Sequence, residues 1–441
     1  MDYINYVKQS PMQGMTGLWG GVSSNLIGGI TYEAGTFTGD RAIVFGSGET
    51  APGSDANIDY YDITSTGNSS NFGQLTQGRL EPKGLSNGTR AVCGGGKRHP
   101  SPGGASNVMD YVTTASTGNA TDFGNLNPAA NQMSGGKANG ERGIFAGGND
   151  TEWPPTVYDN IQYITVASTG NASDFGDLTY ARYNGAVVGD GIYAVFGGGI
   201  RGAGTQFTNR LDTVNIFTTS NATDFGDLFA PIYRSCGVES STRGVFIGGN
   251  APSGPYYPAS RTMMSYITIQ TPSNSSDFGD INQGQTSQAA GSSNLTRGCF
   301  AGGDDGQTKD DIGYITIANT GDSTDFGNLA VSRNAICGTS GAASSDEKLK
   351  DNITPIEDSI SKVSSISGNT FKWNEKSKFE GELDTGVIAQ EVEKLGLPGI
   401  VEDQESGYKI VHYYKLVPLL IESVKELSSR VEILEQTILD K

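Results

Sequence analysis

The chain of 441 residues reads as a mainly β protein. It predicts a β-propeller of six or seven blades over residues 1–340, then a small α+β domain over 345–441 ending in a coiled-coil helix. Three observations predict this. A phrase built on Asp-Phe-Gly-x-Leu returns six times at nearly constant spacing. The apolar runs around it are short, β-branched or aromatic, and bounded by Gly, Asn and Asp, as strands are. The last stretch loses its glycines and carries apolar residues at alternating intervals of three and four, the pattern of a helix that packs on other helices.

The six copies centre on Phe72, Phe123, Phe175, Phe225, Phe278 and Phe326, separated by 51, 52, 50, 53 and 48 positions. A period near fifty suits propeller blades of four strands better than a helical solenoid. Within a unit, a run such as Arg243-Gly244-Val245-Phe246-Ile247-Gly248-Gly249 ends in paired glycines and a loop of variable length follows. An alternating run comes next, as in Tyr314-Ile315-Thr316-Ile317-Ala318. A Ser/Thr-Gly-Asn turn then leads to Asp-Phe-Gly, and a short strand such as Asn184–Val188 enters the next unit. The paired glycines are expected at the axis, where strands crowd and a residue without Cβ allows close approach. The repeated Phe is expected between neighbouring blades, filling the outer gap. The order and the paired glycines resemble kelch-type β-propellers. The chain departs from them by using Phe where kelch units usually carry Trp.

The array stops in mid-unit at Arg333–Gly338, whereas Met1–Ile4 and Gly17–Gly21 resemble strands of a unit. Ring closure is therefore expected from residues 333–338 pairing with an N-terminal strand, which would remove the exposed sheet edges.

Net charge is −18 and the pI near 4.5. That argues against nucleic acid or an anionic membrane surface as partner, since both require clustered Lys and Arg. No apolar run reaches the length of a membrane span, so no insertion is expected. The start has neither the basic nor the apolar region of a signal peptide. Cys93, Cys236, Cys299 and Cys337 stand singly in predicted strands, which suits small buried residues and indicates neither a zinc site nor a disulfide framework. With only two histidines, His99 and His412, a His-based metal centre or a Ser-His-Asp triad is not indicated, and no metal or cofactor is expected. Sequons such as Asn119-Ala120-Thr121 recur at one point of the repeat and read as turn residues.

The segment Ser345-Asp346-Glu347-Lys348-Leu349-Lys350-Asp351-Asn352 would by itself be a helix start capped by Ser344 or Ser345. It is followed by Gly368-Asn369-Thr370-Phe371-Lys372-Trp373-Asn374, by Gly386-Val387-Ile388-Ala389-Gln390-Glu391-Val392, by Gly407-Tyr408-Lys409 and by Tyr414–Ile421. In this order the segments resemble the intramolecular chaperone domain of phage tailspikes and tail fibres, the peptidase S74 or endosialidase-type chaperone. The resemblance runs from Ser345 to about Glu435, with residues 341–344 as linker. It implies a homotrimer and one self-inflicted cut at the Ser344–Ser345 bond, with Ser345 as nucleophile and Lys350 as its base. Asp346 and Asn352 would take structural or orienting roles. A serine hydroxyl needs a neighbouring base, and a lysine serves only when neutral, which burial at an interface promotes. The terminal stripe is Val417, Leu420, Val424, Leu427, Val431, Leu434 and Ile438. Val or Ile at a with Leu at d leans toward dimers in isolated coiled coils, whereas the resemblance implies trimers.

The resemblance further implies a virion tail appendage made in the host cytoplasm. Its partners would be other phage tail or baseplate proteins and a host-surface glycan or protein receptor. Residues 1–29 offer an alternative role, as an arm to another virion protein. Recognition is expected on the variable loops after each paired glycine, because loops on a rigid scaffold carry function. The candidates are Lys97, Arg98, Trp153, Tyr158, Arg201, Tyr256 and Tyr257. Aromatic rings there suit stacking on sugars, and equally suit plain packing. The first functional reading is an adhesin. The second is a glycan-cleaving depolymerase, since Ser275-x-Asp277-x-Gly279 and Ser323-x-Asp325-x-Gly327 resemble fragments of the sialidase Asp-box, although the copies centred on Phe123, Phe175 and Phe225 lack the leading Ser or Thr and all lack the final Trp. The third is a purely structural connector. Beyond self-cleavage, no turnover chemistry is read from the sequence.

Overall fold

The computed structural model describes residues 39–46, 56–99, 103–202, 204, 206–251, 262–282, 284, 286–341, 354–375, 381, 383–403, 408–411 and 413–439. The chain divides between Ser345 and Asp346 into two compact units. In the first, the described residues form six four-stranded antiparallel sheets, one per blade. Blade 4 shows the plan, with Ala186–Gly189, Tyr193–Gly197, Arg210–Asn215 and Thr223–Asp227 pairing in chain order. Blade 1 is composite. Its Arg41–Phe45, Asn57–Asp62 and Ser70–Gln74 come from the start of the propeller, and its first strand, Cys337–Gly341, from the end. Phe45 lies opposite Cys337 and Arg41 opposite Gly341.

The broken unit therefore closes a ring of six blades. Its N-terminal partner is Arg41–Phe45, while the Met1–Ile4 and Gly17–Gly21 candidates lie outside the described residues. Both chain connections, at Asp40 and Gly341, leave the propeller at the same end of the blades.

The first strands of the six blades touch one another in ring order and line a central channel of about 90 Å³. At the second position of these strands stand Gly338, Gly84, Gly136, Val187, Gly237 and Gly291 in blades 1 to 6. A Cβ on Gly237 would fall 2.2 Å from the Val187 carbonyl oxygen, and one on Gly338 would fall 2.4 Å from that of Gly291. Blade 4 alone presents a side chain here. The axis is thus crowded as expected, but by different glycines. The paired glycines stand where the chain leaves the second strand, in left-handed conformation (Gly198 φ +66°, Gly199 φ +106°), and they turn it into the variable loop.

Each repeated Phe sits in the seam between its own blade and the next. Phe225 of blade 4 packs with Phe246, Ile267 and Ile269 of blade 5, and Phe326 of blade 6 with Ala42, Val44 and Tyr61 of blade 1. Fully burying such a ring contributes about 1.5–3 kcal/mol. A second layer lies outside it. In five blades an Arg opens the second strand and lies 4.3–4.9 Å from the ring of a third-strand Tyr, and that Tyr meets the repeated Phe edge to face. The same Arg donates to carbonyls of the next blade's turn, as Arg41 does to Thr114 and Ala115 and Arg297 to Ile63. Blade 4 lacks both partners, with Tyr193 and Thr213 in their places.

Three blades hold a buried ion pair beneath the turn that enters the first strand: Arg333–Asp59, Arg79–Asp110 and Arg182–Asp212. The equivalent pairs elsewhere are Ala130 with Gln162, Ile232 with Ser265, and Thr286 with Gly313. Cation and anion are lost together, because a buried charge without its partner costs several kcal/mol, on the order of 3–5. The four cysteines are buried and free. Burial pushes the Cys236 and Cys299 thiols up to about 12, so they are inert packing groups.

The second unit has a small core built on Val392, Leu395, Ile400, Leu416 and Leu419. Helix α1 (Ser359–Ser364), the hairpin Gly368–Lys372/Leu383–Val387 and helix α2 (Ala389–Glu393) precede helix α3 (Val417–Leu439). The Glu426 carboxylate of α3 accepts from the Ser359 hydroxyl at 2.9 Å and the Ile360 N–H at 3.2 Å, which ties α1 to α3. No helix among the described residues is long and apolar enough to cross a membrane.

Candidate functional site

The described residues of the loops that follow the second strands, and the turns that enter the first strands, lie at one end of the propeller, opposite Asp40 and Gly341. They enclose a funnel of about 600 Å³ around the axis, within the usual size of small-molecule sites. Its floor is a ring of residues with positive φ, one from each blade: Ala335, Glu81, Gln132, Asn184, Arg234 and Gln288. Each entering turn reverses the chain sharply, and the strain is held by backbone bonds from blade to blade. Glu81 N–H donates to the Ala335 carbonyl, Asn184 to Gln132, Arg234 to Asn184 and Gln288 to Arg234, all at 2.7–2.8 Å.

The side chains of this ring bridge the axis. The Glu81 carboxylate of blade 2 accepts from Gln288 Nε2 of blade 6 at 2.9 Å and faces Arg234 of blade 5 at 3.5 Å. At the other end of the channel, Lys137 of blade 3 pairs with Glu239 of blade 5. An ion pair thus stands at each end of the channel. Between them Lys83 lines the channel, and burial pushes its ammonium pKa down.

The funnel wall is two-sided. On the side of blades 3 to 5 stand Trp153, which is 82% exposed, and Tyr183. Burial pushes the Tyr183 hydroxyl above its ordinary pKa, partly offset by Arg234, so it remains a donor at neutral pH. On the side of blades 6, 1 and 2 stand Asp304, Asn334 and Lys97. Asp304 accepts from Asn334 Nδ2 at 2.7 Å. Asn131, only 4% exposed, lies in the funnel wall.

Of the loop residues singled out in the sequence, the fold brings Lys97 and Trp153 to this funnel. Arg98 is exposed beside it on the short strand Lys97–Arg98. Tyr158 is half-buried against the seam of blades 2 and 3. The Arg201 guanidinium lies 4.0 Å over the Tyr180 ring, outside the funnel lining. Tyr256 and Tyr257 lie outside the described residues. Sequence reasoning missed Glu81, Asn131, Tyr183, Arg234, Gln288 and Asp304. The available signal was their fixed place just before a first strand or just after a paired glycine. Among the described residues, no group of three or more His, Cys, Asp or Glu side chains is arranged to hold a metal.

In the second unit, Ser344, Ser345 and Lys350 lie outside the described residues. The described part of the unit does settle which face of α3 its own domain uses. Leu416, just before α3, and Leu419 are buried in the core, and Glu426 clamps α1. The heptad stripe Val417, Leu420, Val424, Leu427, Val431, Leu434 and Ile438 is 45–72% exposed. Ile421 and Ile433 are exposed as well.

Residues 345–402 match the peptidase S74 family, described as chaperone of endosialidase. Over 103 residues, 22% of the chain, the sequence is 35% identical to the long tail fiber protein Gp37 of Enterobacteria phage K3. It is also 35% identical over 103 residues to the long tail fiber protein Gp37 of Enterobacteria phage T2. These matches cover 8% and 7% of the two proteins, so the chain spans less than a tenth of the length of the curated relatives it matches. The chain therefore joins a six-bladed β-propeller to a C-terminal segment of the endosialidase-chaperone type.

Proposed function

We propose that this chain is a phage tail-fibre or tailspike component whose propeller binds a host-surface receptor and whose C-terminal unit assembles three copies and then cuts itself away. The unpaired heptad stripe of α3 carries the assembly part. Its unit has a small core of its own among the described residues, and the stripe lies outside that core. Three α3 helices sharing the stripe would supply the missing core and bring the chains into register at high local concentration.

The cut follows from the chemistry of the Ser345 and Lys350 pair. Lys350, neutral when desolvated in the assembled interface, takes the Ser345 hydroxyl proton. The Oγ then attacks the Ser344 carbonyl carbon, an ester bond forms and the Ser344–Ser345 C–N bond breaks. The proton passes to the freed amine of Ser345. Water hydrolyses the ester, leaving a carboxylate on Ser344 and restoring the hydroxyl of Ser345. Releasing the assembler raises the barrier to exchange among the remaining fibre chains.

We assign receptor binding to the funnel face because Asp40 and Gly341 lie at the opposite end of the blades. A depolymerase has less support: Glu81 is engaged by Arg234 and Gln288, and Asp304 by Asn334. Light scattering on purified Ser345→Ala protein tests the assembly reading. Three full-length chains per particle are expected, and a monomer at micromolar concentration would overturn it.

A further inference from the structure

We propose that Cys93 and Cys337 form a redox latch, joining as a disulfide across the seam of blades 1 and 2 in oxidising surroundings and so fastening the strand that closes the ring. Cys337 opens that closing strand, Cys337–Gly341, which the end of the propeller contributes to blade 1. Cys93 stands in the second strand of blade 2, Arg90–Gly94. The latch would act whether or not the propeller binds a receptor.

A glycine brings the two thiols together. Gly84, in the first strand of blade 2, is paired directly with Cys93. Opposed residues of an antiparallel pair share one face of the sheet, so Cys93 and the bare Cα of Gly84 both face blade 1. A Cβ on Gly84 would lie 3.4 Å from Cys337 Sγ. Cys337 thus borders the place that a side chain at 84 would fill, beside Cys93. Both thiols are buried in one apolar cluster with Ile43, Phe45 and Ala91, whereas Cys236 and Cys299 belong to two other clusters. The closing strand and Arg90–Gly94 come within 8 Å of each other between Cα atoms. A disulfide spans roughly 4.4–6.8 Å, so the bond asks for a small approach. The closing strand can supply it, being the edge strand of its sheet, laddered to Arg41–Phe45 on one side.

A peroxide is the oxidant. One thiolate attacks a peroxide oxygen and becomes a sulfenic acid as the O–O bond breaks and water leaves. The second thiol attacks that sulfur, forming S–S and releasing a second water. The thiols lose two electrons and two protons, and hydrogen peroxide ends as two waters. Burial, and then the Cys93 thiol beside it, pushes the Cys337 thiol well above its ordinary range, and Lys83 and Arg79 offset part of that rise. The thiolate is the reacting form, so oxidation is slow at neutral pH and faster in alkaline solution. A slow reaction suits a bond that sets after the ring has closed, once a virion component has left the reducing interior of a cell. The covalent loop then runs from Cys93 through blades 2 to 6 to the closing strand.

Full-length protein is exposed to hydrogen peroxide under native conditions at neutral and alkaline pH, denatured in an alkylating reagent, digested without reductant and mapped by mass spectrometry. One linked pair of peptides, Cys93 to Cys337, is expected, with Cys236 and Cys299 alkylated. The link should form faster as pH rises, and reductant should undo it. Oxidised protein should unfold in urea on the order of tenfold more slowly than reduced protein, because the closing strand stays tied. Cys236→Ser/Cys299→Ser should keep that difference and Cys337→Ser should lose it. Each protein is compared with itself, oxidised against reduced, so a stability cost of the substitution does not enter.

Cys93 and Cys337 recovered as free thiols, or as unlinked sulfinic acids, would overturn the latch. So would a link that involves Cys236 or Cys299, or one that forms only in denaturant. A Cys93–Cys337 link that leaves the unfolding rate unchanged overturns it as well, since the bond would then fasten nothing. None of these outcomes bears on receptor binding or self-cleavage.

Discussion

Asn68 of blade 1 accepts the backbone N–H of Asn328 of blade 6 at 2.9 Å across the seam where the ring closes, although 260 positions separate them. The other seams carry the same latch: Asn119 holds Gln74, Asn171 holds Asn125, Asn221 holds Asp177, Asn274 holds Asp227 and Asp322 holds Asp280, at 3.0–3.1 Å. The sequon asparagines are therefore turn residues with a defined task, as their recurrence in the repeat suggests.

Removing one acceptor leaves an N–H at the blade rim without its partner. Asn68→Ala is expected to lower stability by about 0.5–1.5 kcal/mol. Asn171→Ala, at an internal seam, should cost the same. Urea denaturation of both variants checks this. A loss confined to Asn171→Ala would mean that the closing seam is not latched.

The buried pair Arg79–Asp110 makes a sharper test. Arg79→Ile alone strands the Asp110 carboxylate and should cost about 3–5 kcal/mol. The double variant Arg79→Ile/Asp110→Ser copies the arrangement of blade 5, Ile232 with Ser265, and should recover most of that loss. A double variant as unstable as the single one would contradict the paired logic.

The clamp between α1 and α3 depends on pH. The Ile360 N–H, and then the Ser359 hydroxyl, hold the Glu426 carboxyl below glutamate's ordinary 4.5. A depressed carboxyl contributes stability that is present above its unfolded value and is lost as pH falls through the folded value. Hydrogen exchange at the Ile360 amide should therefore stay protected at neutral pH and lose protection as pH drops below the ordinary glutamate range. Glu426→Gln should remove the pH dependence. Unchanged protection down to pH 2 would contradict the clamp.

Leu427 is 55% exposed in the single chain, so Leu427→Asp should leave the fold of the unit intact. A carboxylate placed three times in one helical seam should abolish assembly. If desolvation at the interface is what neutralises Lys350, the cut should disappear with it. Light scattering and gel analysis read both. A monomer that still cuts would separate cleavage from assembly.

The sequence carried the ring because equal seams force equal letters. The six repeated phenylalanines, the turn asparagines and the half-unit at Cys337–Gly341 all lie where the geometry repeats. The arginines opening the second strands repeat in five of the six blades, yet Arg90 or Arg142 at a strand start reads as a solvated end until the cation–π contact with its Tyr is seen. The paired glycines were misplaced at the axis because φ is not written in a sequence and both roles call for glycine. The funnel was the least legible part. Glu81 and Gln288 stand 207 positions apart and become neighbours only once the ring closes, and their blade-to-blade equivalents differ in residue type. Lys97 and Trp153 were found because loop position and side-chain chemistry already mark them.

The account depends most on a chain that assembles and then divides at one bond. Intact mass measurement of freshly purified wild-type protein, beside Ser345→Ala, tests it directly. Wild type should give two species, residues 1–344 and 345–441, and Ser345→Ala one species of full length. A full-length mass for both from trimeric preparations, or the same two fragments from Ser345→Ala, would contradict it.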